Sequence, residues 1–507
     1  MDKKLLLFLF GICTLGFVLR VLYLPQGALT FGYDQARDAF IAQQIVGGDL
    51  KILGPPSSTP GLYHGVLYYY FLAVPYAFSQ NPIVASYYLS LFNALGILVV
   101  YYLSYQMTKK QSVGLLSALF YATSFEATQY ATWLSNPTLA YVTVPLFYLG
   151  LWTWLSEGKR WGPILAALGL GFSVQAEVFL LYHVAPLLIW LYTSQNRIKP
   201  RQIFEFGLVF LLSTATMIIS EIKFGFRGVS GILSLLSSNE SLSHAKSLGD
   251  YLVLFLNQAG RVYAFSSFPS NIGYGAFLVF TLIFASIIVW NKKIRSKKIF
   301  VSWELFLSIW LLSHLSVVSV GGTSTPFLLV GIGPAVGILL AIWVSRFWQS
   351  SRLLAVLLVL MILFGNIKTI VSENQHGQTI FSIQKGMVLS KQIQTVDYTY
   401  ESARGESFSI NTITSPLWVN SVWSYLYNWH GQKKYGYLPA WHGRDQVGRL
   451  GNNLHNSSPK IKYLISEPLQ GIPPKFANET VASENDLYGK VVEEKVFGEI
   501  IVQKRLE

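Results

Sequence analysis

Apolar runs long enough to cross a membrane recur along this chain from residue 5 to residue 371, and few carry a charge near their centre. A hydrocarbon core needs ~20 predominantly apolar residues per helix. Inside lipid, each backbone polar group must find its partner within the segment, so an uninterrupted apolar run has the helix as its solution. The runs lie at 5–24, 83–106, 112–131, 137–156, 162–176, 178–193, 203–223, 272–290, 301–320, 326–347 and 352–371, an expectation of about eleven spans. Only 12% of the 507 residues are charged and 52% are hydrophobic, against about 25% charged in soluble proteins. A large soluble protein with an extended core is excluded by runs this long and this uncharged. The expected class is a mainly α, polytopic membrane protein. The first run follows "MDKK"; a signal peptide is the other reading, but no small-residue cleavage site follows, so the run is taken as a retained span.

The net charge of +13 invites a nucleic-acid reading, which its distribution opposes. Basic residues cluster between spans: Lys109 and Lys110; Lys159 and Arg160; Arg197, Lys199 and Arg201; Lys292, Lys293, Arg295, Lys297 and Lys298; Arg346 and Arg352. With the N-terminus inside, all five clusters fall inside, as the positive-inside rule requires. An odd number of spans then places residues 372–507 outside. The expected organisation is a transmembrane domain, 1–371, with long outer loops at 25–82 and 224–271, followed by an extracytoplasmic domain, 372–507. That domain shows a helix-like stretch over 381–396 and strand-like runs at "SFSINTI", "IKYLIS" and "KVFGEIIVQK", a small α/β or α+β pattern. The single cysteine, Cys13, lies in the first span, so no disulfide framework or cysteine metal site forms within the chain. That usage is compatible with a bacterial plasma membrane.

The first outer loop holds the densest chemistry. Asp34 to Val46 reads as a helix ended by Gly47 and Gly48. Asp34 and Asp38, four residues apart, share one face with Arg37 beside them. Structurally, Asp34 reads as an N-cap or first-turn acid complementing the helix dipole, and Asp38 as the local partner of Arg37. "LYHGVLYYYFLAVPY" then supplies a second, aromatic-rich helix.

On these residues the chain resembles the GT-C glycosyltransferases, and within them glycosyltransferase family 39 and its bacterial relatives, the protein O-mannosyltransferase and aminoarabinose-transferase branch. That family carries an acidic pair at the start of the first outer loop, then a Gly-Asp step and a Pro-Pro-Leu-Tyr-type helix start. Here Tyr33, Asp34 and Gln35 stand at the acidic pair, with Gln35 in place of the second acid, which leaves Asp38 to share that acid's role at the substrate. Gly48 and Asp49 match the Gly-Asp step. His64, Gly65, Val66, Leu67 and Tyr68 stand at the helix start, without the paired prolines. "WLSNPTLAYV", which contains Asn136, also fits.

The resemblance implies transfer of one sugar from a polyprenyl-phosphate donor to an acceptor hydroxyl of a protein, lipid or glycan at the outer face of the bilayer, without a nucleic-acid partner. Phosphate is a good leaving group, so one carboxylate suffices where glycoside hydrolysis usually needs two. Asp34 is the expected general base, and direct attack inverts the anomeric carbon. The departing phosphate needs positive charge or donors; the candidates are Arg37, His64, Lys246 and Arg261. Three of them have a structural reading as well: an ion pair for Arg37, an interfacial ring for His64, snorkelling to headgroups for Arg261.

Among the polar residues within or beside the apolar runs, Glu126, Gln129, Asn136, Gln175, Glu177 and His183, Glu177 stands out. It falls at the break between two short spans and is a candidate for sugar hydroxyls. Glu221 and Glu304 read as interfacial, His314 as packed between helices. A divalent cation on Asp34 and Asp38, with help from Glu177, has no tight ligand spacing behind it, and no Gly-rich phosphate loop is present. The other functional class that fits many spans is a carrier or flippase for a lipid-linked glycan. It would gather polar groups near the bilayer midplane, and leaves the outer acidic helix and the C-terminal domain unexplained. The aromatic stretch "WSYLYNWHGQKKYGYLPAWHGRD" reads either as a small core or as an acceptor-recognition surface.

Overall fold

The computed structural model describes residues 3–194, 198–237, 247–295, 302–318, 326–381, 384–443, 459–468 and 472–506. The chain forms two compact units, one of residues 1–22, 50–71 and 87–374, the other of residues 23–49, 72–86 and 375–507.

The first unit is helical. Among the described residues, five helices are long and apolar enough to cross a membrane: Lys3–Gln26, Pro82–Thr108, Asn136–Leu155, Ile272–Lys293 and Arg352–His376. A sixth forms if Pro200–Ser213 and Ala215–Lys223, bent by 57°, count as one. Several of the other apolar runs are helical but broken. The run at 112–131 divides at Ser124, whose hydroxyl accepts from the Ala127 N–H and caps a new helix. The run at 301–320 is helical only over Trp303–Leu312 before tightening into a 3₁₀ turn, and residues 319–325 lie outside the described residues.

Small residues bring one antiparallel pair together. Helices Ala140–Leu155 and Gly162–Ala176 pack so closely that a Cβ on Gly150 would lie 2.2 Å from the Ala166 nitrogen, and one on Gly169 2.3 Å from the Phe147 nitrogen. Small residues permit this backbone approach where lipid supplies no hydrophobic drive. The pair fixes the position of Gln175, Ala176 and Glu177 at its end. Near the end of the first helix, Arg20 is 2% exposed. It donates through Nε to Asn93 Oδ1 at 2.8 Å and through Nη1 to the Gly16 and Ala122 carbonyls at 2.7 and 3.0 Å. A buried guanidinium thus ties three helices by satisfied hydrogen bonds.

Two of the basic clusters read from sequence share one acid, and so do another two. Glu157 takes Lys109 at 2.5 Å and Lys159 at 2.9 Å. Glu304, fully buried, takes Lys293 at 2.6 Å and Arg346 at 3.0 Å.

Among the described residues, the second unit is built on a five-stranded sheet in the order β2-β1-β3-β5-β4. The strands are β1 (Phe408–Ile413), β2 (Ala440–Trp441), β3 (Ile461–Ser466), β4 (Glu493–Phe497) and β5 (Ile500–Leu506). β1 pairs in parallel with β2 and β3, and β5 pairs antiparallel with both β3 and β4. β1 is buried at every position, as a central strand covered on both faces must be. Tyr398 and Tyr400 of helix Leu389–Ala403 meet Tyr463 and Phe408 on one face, at ring separations of 6.2 and 5.0 Å. Ala477 and Val481 of helix Pro474–Tyr488 pack on Ile413 and Leu464 of the other. The strand-like "KVFGEIIVQK" is a hairpin, turning at Gly498 with φ +65°.

The helix-like stretch over 381–396 is displaced: the helix runs Leu389–Ala403. Residues just before it pair instead with the chain that leads into the acidic helix. Phe31 N–H donates to the Met387 carbonyl at 2.9 Å and Leu389 N–H to the Leu29 carbonyl at 2.8 Å. Tertiary pairing overrides local helical preference here.

Candidate active site

The acidic helix spans Tyr33–Val46 and ends at Gly47. Gly32 is its N-cap, and the Gln35 side chain accepts the Gly32 N–H at 2.9 Å. Gln35, the residue at the position of the second acid, is thus turned back into the cap and is 3% exposed. Asp34 sits in the first turn rather than at the cap. Its side chain is 41% exposed, whereas that of Asp38 is 1% exposed. Arg37 lies between them: Nη1 meets Asp34 Oδ1 at 2.7 Å, and Nη2 meets Asp38 Oδ1 at 2.7 Å. The guanidinium also stands over the Tyr33 ring at 5.4 Å. One buried acid therefore anchors an arginine that orients one exposed acid, whose second oxygen is left for another partner.

The same unit holds the helix in place. Its small face, Ala36, Ala39 and Ala42, is fully buried. Tyr425 packs against Phe31 and Phe40 at ring separations of 5.3 and 5.2 Å, accepts from Gln43 Nε2 at 3.3 Å and donates to the Gln80 carbonyl. Thr30 and Gln378 exchange two hydrogen bonds, each 2.9 Å. Gln392 Nε2 donates to the Phe31 carbonyl at 2.6 Å. Hydrogen bonds spanning 348 to 382 positions thus set where the helix that carries Asp34 stands.

A second polar cluster forms within the first unit. His64 Nδ1 accepts the Val178 N–H at 3.3 Å and lies 3.6 Å from Glu177 Oε1. Glu177 caps the turn that follows it, accepting the Phe179 N–H at 3.4 Å. Asn136 Nδ2 donates to the Ala176 carbonyl at 2.5 Å. Gly65 N–H donates to the Gln175 carbonyl at 2.8 Å, and Leu67 N–H to Gln175 Oε1 at 3.3 Å. A Cβ on Gly65 would fall 1.9 Å from that Oε1, so glycine is required for the approach. His64, Asn136 and Glu177 are brought together, with Gln175 as the strap. Arg261 stands elsewhere in this unit, on helix Leu248–Ser267 and partly exposed. Lys246 lies outside the described residues.

The remaining polar residues near the spans are partnered in helix packing. Glu126 accepts from Ser266 Oγ at 2.6 Å and Tyr141 OH at 3.1 Å. Gln129 donates to Asn374 at 2.8 Å, His183 meets Tyr148 OH at 3.0 Å, and His314 meets Gln258 at 2.8 Å. Glu221 accepts the Val229 N–H at 3.2 Å. No group of three or more His, Cys, Asp or Glu placed to hold a metal ion occurs among the described residues.

By sequence the chain matches no protein-family profile and no curated protein. By structure it matches ArnT from Cupriavidus metallidurans bound to undecaprenyl phosphate, with a TM-score of 0.57 and 11% identity over 99% of this chain and 98% of that one. The chain shares its overall fold with that protein. The apo state of the same ArnT matches with a TM-score of 0.56 and 11% identity over 98% and 97% of the two chains. At this identity the likeness is one of fold. In this chain the exposed Asp34 stands at the head of the helix Tyr33–Val46, and the position next to it belongs to a capping glutamine.

Proposed function

We propose that this protein is a GT-C membrane glycosyltransferase that moves a single hexosyl or pentosyl group from a polyprenyl-phosphate donor to an acceptor hydroxyl of a protein, lipid or glycan. The observation that carries the reading is the match, along nearly the whole of both chains, to an ArnT solved with undecaprenyl phosphate bound.

Asp34 is the general base. Arg37 holds one of its oxygens at 2.7 Å and leaves the other for the acceptor. As that oxygen takes the proton, the acceptor oxygen bonds to the anomeric carbon, the bond from that carbon to the phosphate oxygen breaks, and polyprenyl phosphate departs. A single displacement inverts the anomeric centre. Asp38 and Tyr33 serve by positioning Arg37. His64, Asn136 and Glu177, held at one helix junction, and Arg261 are further candidates for binding donor groups, with Glu177 and Asn136 suited to sugar hydroxyls. A divalent cation is not needed for these steps, since phosphate already leaves readily.

We further propose that the chain is a multi-pass protein of a bacterial plasma membrane, with its N-terminus cytoplasmic, a transmembrane domain over 1–371 and an extracytoplasmic domain over 372–507. The basic clusters support this: residues from two of them share Glu157, and residues from two others share Glu304.

The test uses purified protein in lipid nanodiscs with a panel of polyprenyl-phosphate sugars, comparing wild type with Asp34→Asn. Transfer by wild type that collapses in the folded variant supports the enzyme and its base. Equal transfer by both overturns Asp34 as the base. Movement of the lipid-linked sugar across the bilayer without transfer overturns the enzyme in favour of a carrier.

A further inference from the structure

The sheet of the second unit carries a crevice that the transfer chemistry does not use. From β1 the chain passes to β2 on one side, and β3 lies on the other. In open sheets of this kind, ligands bind outside the carboxyl ends of the strands where the connections diverge. A cavity of about 270 Å³ lies there, bounded by the ends of β1 and β2 and by helix Pro474–Tyr488. That is near the lower end of the range of about 300–1,000 Å³ typical of small-molecule pockets, and suits a single ring.

Its walls have a particular chemistry. Among the described residues no lysine or arginine lines it, which disfavours a phosphate. The buried Glu484 is occupied: Asn411 Nδ2 donates to one of its oxygens at 2.6 Å, and His442 Nε2 faces the other at 3.2 Å. That bond fixes the His442 tautomer with Nε2 protonated and Nδ1 an acceptor. Nδ1 is buried without a hydrogen-bond partner, in a side chain 5% exposed, which is costly unless a donor arrives. At the rim, Glu479 is exposed and only loosely paired, 3.8 Å from Lys475. Trp418 is 39% exposed, stands edge-on to Phe476 at 6.0 Å, and has a φ of +60°. A bulky residue held in the left-handed region is strained, and such strain gathers at ligand clamps.

We propose that this crevice binds one ring of an uncharged glycan, with its apolar face on Trp418 and its hydroxyls donated to Glu479 and His442. An aromatic face for C–H groups, carboxylate and imidazole acceptors for hydroxyls, and the absence of basic side chains among the described lining residues together favour a neutral polyol ring over a nucleotide or phosphosugar. The proposal concerns binding alone and stands apart from the transfer reaction.

It is tested on the full-length protein in nanodiscs by saturation-transfer NMR and equilibrium binding. The probes are glucose, mannose, galactose and N-acetylglucosamine, with their β1,4- and α1,2-linked disaccharides and inorganic phosphate. The expected result is saturable binding of at least one sugar, weakened tenfold or more by Trp418→Ala and by Glu479→Gln, and largely retained by Trp418→Phe. Glu479 is exposed, so its variant reports on binding even where Trp418→Ala unfolds the domain. The proposal is overturned if wild type binds none of the sugars saturably, if Glu479→Gln and Trp418→Phe both leave a measured affinity unchanged while Trp418→Ala is folded and equally tight, or if phosphate displaces the sugar.

Discussion

Two aspartates one helical turn apart have unlike surroundings, and the difference assigns them unlike tasks. Asp34 is reachable, so Asp34→Asn should leave the thermal unfolding midpoint nearly unchanged. Transfer should fall by about 10²–10⁴, the usual contribution of a general base. Asp38 is buried against Arg37, and removing one partner of a buried pair strands the other. Asp38→Asn should therefore cost about 3–5 kcal/mol of stability, seen as a lowered unfolding midpoint even in the absence of donor. If Asp38→Asn instead kept full stability and lost activity alone, the two roles would have to be exchanged. Arg37→Lys keeps the charge but loses the planar fork that reaches both acids. The expectation is a fall in kcat of roughly tenfold by the same orientation effect, with little change in KM for the donor.

At the scale of elements, the acidic helix is positioned by Tyr425 and by the strand-like pairing of residues 29–31 with 387–389. Tyr425→Ala removes a side chain that is 1% exposed. It should cost about 3–5 kcal/mol, the range for truncating a buried aromatic. Transfer measured well below the unfolding midpoint should also drop, because Phe31 and Phe40 lose their common support. Tyr425→Phe keeps the ring and should lie close to wild type in activity. In the first unit, Gly65→Ala should lower the unfolding midpoint by several degrees, since the new Cβ would also meet the Gln175 Cα at 2.7 Å, which no side-chain rotation relieves. A Gly65→Ala protein of unchanged midpoint would show that this junction has room the geometry denies it.

At the scale of the whole molecule, pH acts through a buried carboxyl. Glu467 accepts from Trp423 Nε1 at 3.0 Å and from the Ser415 N–H at 2.8 Å, yet burial pushes its pKa up to about 8. Its neutral form is favoured by folding. The stability it contributes is fully present below about pH 4.5 and is lost as pH rises towards about 8, because the unfolded chain ionises first. Thermal midpoints followed from pH 5 to pH 9 should fall for wild type and fall less steeply for Glu467→Gln. Equal slopes would mean that Glu467 stays ionised in the fold.

Local chemistry settled much of this protein in advance. Class follows from uncharged runs of span length, because lipid accepts only helices there. The acidic helix over 33–46 follows from its spacing and its terminal glycines, and "SFSINTI" and "IKYLIS" are strands because their side chains suit a sheet buried on both faces. Where a helix breaks within an apolar run was not local. Ser124 caps a fresh helix in mid-run, and hydropathy counts residues without seeing where hydrogen bonds restart. Nor was the difference between Asp34 and Asp38 local, since both carry the same group on the same face and only packing buries one of them. Gln35 as a cap, Tyr425 as a buttress, and the meeting of His64 with Glu177 across 113 positions all rest on contacts between distant segments. Composition and spacing carry the preferences of a residue for its immediate neighbours. Which remote residue completes a site depends on how the whole chain excludes solvent, and that is decided only when the chain is folded.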